Sequence, residues 1–401
     1  MVAGAPAARR TRLLVLGAGA AQLGLLEAAR ERGDLEVIAV DRDPGAVGFA
    51  LADKRAVVST EDEAAVERLA RSERVAGIVS PGADWPVGVA ARIAERMGLP
   101  HPIDAQTASL ATTKTRQRER FAVAGVEQPR VYGPGETPTI PCVVKAPDRQ
   151  GQRGLTLVRD AAELDAAVAA AVAESRSGSY LAEELVDGPE VTVNAFSVDG
   201  DFMPLAVTDR LTADQPAFGV ALAHVWPGVY DAPAAVEAAR RAAEALGIRN
   251  GPTYTQVRLG PDGPRVIELA ARLGGGHDAE LVEAVTGVDL NGLAIAAALG
   301  ESSTPVPVPA RGQAPAGGCV VFLVSPVGVL RIVDDIDEAS AVDGVRWVRI
   351  YRRPGWVFGP LLRGADRAGA VLALGDDRAQ ALARARRVAK TVRFEVDADA
   401  P

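Results

Sequence analysis

A chain of 401 residues is too long for a single hydrophobic core, so two or three domains are expected. With 48% apolar and 24% charged residues and a formal net charge of −8, it reads as globular and without the positive field that draws proteins to nucleic acid or an anionic membrane. Aromatics at 4% leave little for base-stacking platforms.

RLLVLG (12–17) reads as a buried parallel strand, 22–32 as a helix and LEVIAVD (35–41) as a second strand. Arg9-Arg10 ahead of LLVLGAGAAQLGLLEAA (13–29) resembles an export leader, but Gln22 and Glu27 interrupt the apolar run. A cytoplasmic protein is therefore expected, and no stretch is apolar for long enough to span a bilayer. AVVS (56–59), a helix at 62–72 and VAGIVSPG (75–82) repeat the alternation, which predicts a doubly wound parallel sheet ending near His101-Pro102. Within it, GAGAAQLG (17–24) joins strand to helix, and Asp41 stands where a dinucleotide-binding acid is expected. Gly17, Gly19 and Gly24 lack the G-x-G-x-x-G spacing, so a tight packing turn is the competing reading.

A Pro-punctuated stretch, EQPRVYGPGETPTIP (127–141), precedes α+β character between 140 and 300. Strands are expected at 140–146, 154–158, 179–185, 190–198, 202–208, 253–259 and 264–270, with helices at 160–174, 232–246, 278–286 and 290–299. A second linker, STPVPVPARGQAPAGG (303–318), leads to a tail with strands near 319–324 and 345–351 and a helix near 376–390. Cys142 and Cys319 lie in apolar runs and read as small buried thiols. His101, His224 and His277 have no metal-ligand spacing.

The basic residues carry the chemistry. Only Lys54, Lys114, Lys145 and Lys390 stand against forty arginines. A retained ammonium suggests a site that needs a point charge, and polyphosphate is such a ligand. Lys145 closes the run IPCVVKAP (140–147), and the loop DRQGQRG (148–154) follows, with Gly151, Gly154, Arg149 and Arg153. Its backbone amides and cations can fold over a triphosphate. YLAEELVDGPEVTV (180–193) reads, taken alone, as a hairpin with solvated acids. In TYTQVRLGPDGPRVIELAARLGGGHD (253–278) a PDG turn sets Gln256 and Glu268 on facing strands. A carboxylate inside an apolar strand needs a cation, and magnesium held with phosphate oxygens would satisfy Glu268; an ion pair with Arg272 at i+4 is the alternative.

Taken in order, Lys114, Lys145 with its glycine loop, EELVDGPE and VIELAARLGGG resemble the ATP-grasp superfamily. The branch most similar is the carboxylate–amine ligases that include bacterial L-amino-acid ligases, with carbamoyl-phosphate synthase large chains more distant. The resemblance implies an α/β and α+β multidomain protein with an ATP-grasp fold. A Rossmann-like pre-ATP-grasp unit would occupy 1–105, the ATP-grasp domain 106–302 with its lid at about 140–185, and a β-rich segment completing the core 303–401. It further implies ATP, with magnesium or manganese, as cofactors, small carboxylates and amines as substrates, and a homodimer. In this likeness Lys114 and Lys145 contact phosphates under the 148–154 loop, and Glu183, Glu184 and Val186 border the adenine. Glu190 is the ribose acid, Gln256 and Glu268 are the metal ligands, and Arg272 holds the acyl phosphate. Arg210, His224, Gly275, Gly276 and His277 are the candidates to meet substrate. Gln256 stands where Glu is usual, as in carbamoyl-phosphate synthases, and Ala270 where Asn is common. A purine-biosynthesis carboxylase, a non-catalytic nucleotide-binding regulator and an NAD-dependent oxidoreductase are the competing functions.

Overall fold

Short apolar runs become parallel strands when helices cover both faces of their sheet. The computed structural model, which describes residues 10–133, 135–302, 304–305 and 315–398, builds such a sheet from β1 (Thr11–Leu16), β2 (Leu35–Asp41), β3 (Lys54–Val57) and β4 (Gly77–Val79). The order is β3-β2-β1-β4, parallel throughout, as the alternation predicts. Helices α1 (Leu23–Glu31), α2 (Glu63–Glu73) and α3 (Asp84–Met97) accompany it. Arg9 and most of the 303–318 linker lie outside the described residues. The glycines of 17–24 serve packing: a Cβ on Gly24 would collide with the Glu280 carboxylate. Asp41 is also taken, since its Oδ2 accepts from the Ala18 amide at 2.9 Å and closes its own turn. The tight-turn reading holds, and the dinucleotide reading loses its acid.

Helices α4 (Ala105–Ala111) and α5 (Lys114–Ala124) lead into a small antiparallel sheet, the lid, of β5 (Val131–Tyr132), β6 (Cys142–Lys145), β7 (Leu155–Val158) and β8 (Leu181–Glu184). Its strand order is β5-β8-β6-β7. Helix α6 (Leu164–Glu174) packs Ala167 and Ala171 onto Cys142, Val144 and Val158.

The main sheet begins with β9 (Glu190–Val198), β10 (Asp201–Thr212) and β11 (Ala221–Trp226), followed by α7 (Ala232–Leu246). It continues through β12 (Gly251–Gly260) and β13 (Gly263–Ala270), then α8 (Asp278–Thr286) and α9 (Leu290–Leu299). The tail supplies β14 (Gly317–Leu323), β15 (Gly328–Asp334), α10 (Ile336–Ser340), β16 (Val345–Ile350), β17 (Val357–Phe358), β18 (Gly369–Gly375), α11 (Arg378–Thr391) and β19 (Arg393–Asp397). Eight strands form one antiparallel sheet in the order β13-β12-β9-β10-β11-β14-β18-β16, and β17-β15-β19 form a separate one. Several elements have no counterpart among those expected, α3, β11, β15, β18 and β19 among them. Gly369 and Gly375 look like turn signals flanking β18, but each sits where a Cβ would strike neighbouring backbone. Both cysteines are free and buried, as expected.

One apolar core crosses the expected boundary near 105. It joins Leu13, Leu26 and Val37 of the first unit to Phe196 of β9, Val282 of α8 and Ile295 of α9. Arg349 of β16 adds ion pairs to Glu27 of α1 and Glu280 of α8. No single helix among the described residues is long and apolar enough to cross a membrane; α8 and α9 would pass only as a sharply bent pair, and both contribute to this core. Truncating the fully buried Ile295 to Ala should therefore cost about 2–5 kcal/mol and lower the denaturation midpoint of the whole N-terminal half. Denaturant titration followed by far-UV circular dichroism reads this, and an unmoved midpoint would contradict a shared core.

Candidate active site

A cleft lies between the lid and the main sheet. Lys145 ends β6 and projects into it, 4% exposed, with its Nζ 2.5 Å from Glu183 Oε2. Arg118 of α5 holds the other oxygen, its Nε 2.6 Å from Oε1. Burial, reinforced by the Arg118 and Lys114 cations, pushes Lys145 down to about 8, with Glu183 acting the other way. Burial pushes Glu183 up, but Arg118 and Lys145 overcome it and hold the carboxyl low. Glu183 lines the cleft, as expected, but both its oxygens are taken by Arg118 and Lys145. Glu184 caps its neighbour, accepting from the Arg130 amide at 3.1 Å. Leu185 and Val186 supply the cleft wall at this edge.

Lys114 opens α5, 8% exposed. Its Nζ lies 2.9 Å from Glu268 Oε1 and donates to the Arg149 carbonyl at 2.6 Å, which ties it to the basic loop. Burial raises Glu268, yet Lys114 holds it below the usual carboxylate range. The i+4 pair with Arg272 does not form; Arg272 turns away to Asp84, its Nε 2.5 Å from Oδ1. In the loop, Gly151, Gln152 and Gly154 all take left-handed φ near +65°, which curls the backbone around the cleft mouth. Glu190, at the start of β9, receives Arg210 Nη1 at 2.7 Å and Arg258 Nε at 3.3 Å.

A larger cleft, of about 550 Å³, adjoins the first and shares Gln150–Arg153, Arg210 and Gln256 with it. Its floor holds Arg272, Gly275, Gly276, His224 and Tyr254. Burial pushes His224 down to about 4, so its ring is neutral near pH 7. Its Nδ1 lies 3.4 Å from Asp278 Oδ1, and both atoms are buried without a protein hydrogen-bond partner. His277 is placed otherwise than expected. It is buried at φ +62° before α8, with Nδ1 2.9 Å from Glu280 and Nε2 2.6 Å from the Tyr351 hydroxyl. It lines neither cleft and instead fixes Tyr351, which does line the larger one.

Residues 138–280 match the ATP-grasp domain family, and 321–397 match the L-amino acid ligase C-terminal domain 2. A formate-dependent phosphoribosylglycinamide formyltransferase of Nitratidesulfovibrio vulgaris is 30% identical over 432 aligned positions, covering 96% of this chain and 97% of that protein. The chain belongs to the ATP-grasp family of carboxylate–amine ligases. An alanine–anticapsin ligase of Bacillus subtilis is 25% identical over 50% of this ATP-grasp chain and 49% of its own length. A solved L-amino acid ligase from Bacillus licheniformis shares the fold, with a TM-score of 0.80 at 22% identity over 97% of this chain and 99% of that one.

ATP-grasp enzymes use a divalent metal, and the donors here fit one held mainly by its nucleotide. Gln256 and Glu268 are direct cross-strand partners, as the PDG turn predicts. The Gln256 amide makes no protein hydrogen bond among the described residues. One carboxylate and one amide oxygen leave the remaining positions to phosphate oxygens and water, the usual habit of magnesium. No group of three or more His, Cys, Asp or Glu that could hold a metal occurs among the described residues. Sequence reasoning missed Arg118, Tyr254, Tyr351, Arg352, Arg367 and Asp84. Arg367, its guanidinium 3.6 Å from the Phe322 ring centroid, meets Arg210, His224 and Tyr254 in the larger cleft only through long-range strand pairing. The Lys145 environment sets a pH dependence. Its proton is held below about 8 and lost above, so ATP affinity should fall by up to about tenfold per pH unit from pH 8 upward. Calorimetric titration between pH 7 and 9.5 measures it, and Lys145→Arg should flatten the slope.

Proposed function

We propose that this ATP-grasp enzyme joins the carboxylate of one small metabolite to the amine of another, amino acids foremost, through an acyl phosphate, releasing ADP and phosphate. One observation carries the proposal. Two buried ammonium groups and the Glu268 carboxylate line a cleft that adjoins, past Gln256, a larger cleft lined by Arg272. ATP enters the first cleft with its base edge against the 185–186 backbone and its ribose near Glu190. Lys114, Lys145 and the 148–154 amides meet the phosphates. A carboxylate in the larger cleft attacks the γ-phosphorus. The lysines offset the repulsion between two anions, so catalysis here is positioning and electrostatics. Magnesium or manganese, held by Glu268 and Gln256 with phosphate oxygens, supplies further charge neutralisation. The amine then adds to the acyl carbon, Arg272 faces the oxyanion, and phosphate departs. His224, neutral and buried, serves as a hydrogen-bonding wall rather than a base.

The test is ADP release with pooled carboxylates, including formate and bicarbonate, against pooled amines. Release that needs one member of each pool supports the reading. Bound ATP with no release for any pair would favour a regulator. Lys145→Ala and Glu268→Ala should each lower turnover at least about 10²-fold with an unchanged circular dichroism spectrum, and full activity in either would contradict the assignment. Gln256→Glu adds a carboxylate to the metal pair. It should lower the magnesium concentration for half-maximal ADP release by about tenfold, read in a magnesium titration.

A further inference from the structure

Trp85 and Arg176 meet between the N-terminal unit and the lid. Trp85 is the second residue of α3, and Arg176 follows α6. The guanidinium carbon lies 4.3 Å from the indole centroid. The same side chain makes three kinds of contact at once. Its face stacks on Trp85, Nη2 is 2.5 Å from Glu61 Oε1, and Nη1 donates to the Asp148 carbonyl at 2.6 Å. A planar fork can stack and bond along its edge together, which a lysine cannot do. Asp148 begins the basic loop, and its carboxylate accepts from the Arg176 and Ser177 amides at 3.0 and 2.8 Å. One residue before Trp85, the Asp84 amide donates to the side chain of Gln150 in the same loop. Two consecutive residues of α3 thus reach the loop that borders the cleft, Asp84 directly at its third position and Trp85 through Arg176 at its first.

We propose that Trp85 and Arg176 are positioning residues, a clamp that pins the 148–154 loop to the N-terminal unit and keeps it over the triphosphate. The role rests on the ATP reading above, but the clamp itself is a contact between protein side chains of two units. Tryptophan is the best aromatic partner for a cation, and Arg176 is largely withdrawn from water. Loss of the stack frees the Arg176 side chain and weakens its Nη1 bond to the Asp148 carbonyl, so the start of the loop loses its tie to the N-terminal unit while the Asp148 carboxylate stays on the Arg176 and Ser177 amides. The geometry explains why this site carries arginine and an indole in a chain with only four tryptophans.

Limited trypsinolysis of the full chain tests it, with cleavage after Arg149 and Arg153 followed by mass spectrometry. Without nucleotide, Trp85→Ala and Arg176→Gln should be cut there about fivefold faster than wild type, and Trp85→Phe, which keeps a ring to stack on, should stay close to wild type. Cleavage after the exposed Arg331 serves as the internal reference. Equal rates in wild type and both disrupting variants would overturn the clamp, and so would equal acceleration at Arg331, which reports general loosening. Added ATP with magnesium should protect wild type and protect the disrupting variants less. If ATP fails to protect wild type, the nucleotide reading of the cleft falls, an outcome distinct from that of the nucleotide-free comparison.

Discussion

A buried ammonium keeps its proton only beside a carboxylate that cannot leave. Lys145 and Lys114 are both held in this way, by Glu183 and Glu268. The pairing is incomplete at Lys145, because Arg118 shares Glu183 and leaves a local excess of positive charge. The fall of Lys145 from 10.5 to about 8 corresponds to roughly 3 kcal/mol of cost, from burial and from the Arg118 and Lys114 cations, that Glu183 leaves unrelieved. A polyanion entering the cleft would relieve it. The same surplus recurs at Glu190, which serves Arg210 and Arg258 together. The cleft is therefore built short of negative charge, which is how a receptor for phosphate is made from ion pairs that look complete.

That constraint explains the path of α5. Lys114 and Arg118 stand at i and i+4, on one face of the helix, and reach carboxylates on two different sheets. The helix must therefore lie where lid and main sheet approach each other. It is fixed there through β13. Arg118 donates to the Val266 and Ile267 carbonyls at 3.3 and 2.6 Å. Gln117 donates to Leu269 O at 2.8 Å and accepts from Leu269 N at 3.2 Å. Glu268 lies within that stretch, so the strand that carries this buried acid also holds the helix that neutralises it.

Much of this was legible in the sequence where local chemistry is unusual. A lysine kept in an arginine-rich chain led to Lys145, and a PDG turn led to the Gln256–Glu268 pair. Arg118 was not legible, because in RQRER it looks like one charge of a solvated helix face. Glu183 was found but its partners were not. Strand alternation puts one of Glu183 and Glu184 inward, and nothing local says that the inward one meets two cations. His277 follows three glycines and reads as loop, whereas its left-handed backbone turns the ring into the packing beneath Tyr351. The arginines of 352–367 reach their cleft only through the order of the eight-stranded sheet, which pairing over long sequence separation decides.

The first unit shows how a nucleotide-binding topology can be turned to another use. In open parallel sheets the crevice beyond the carboxyl ends of the strands, where strand order reverses, is where ligands settle. Here the turn after β1 packs Gly24 against Glu280 of α8, and Asp41 is spent on the turn itself. Neither is left for a dinucleotide. The same edge still faces a cavity, since Gly19–Gln22 and Gly82 line the larger cleft. The segment after β4 then enters α3, whose first turn presents the Asp84 carboxylate to Arg272 and the Asp84 amide to Gln150. One residue of the parallel unit thus touches both the arginine on the floor of the larger cleft and the loop bordering the smaller one. Removing that unit would leave Arg272 without its carboxylate and the loop without its anchor, so the two clefts depend on it even though the main sheet supplies most of their walls.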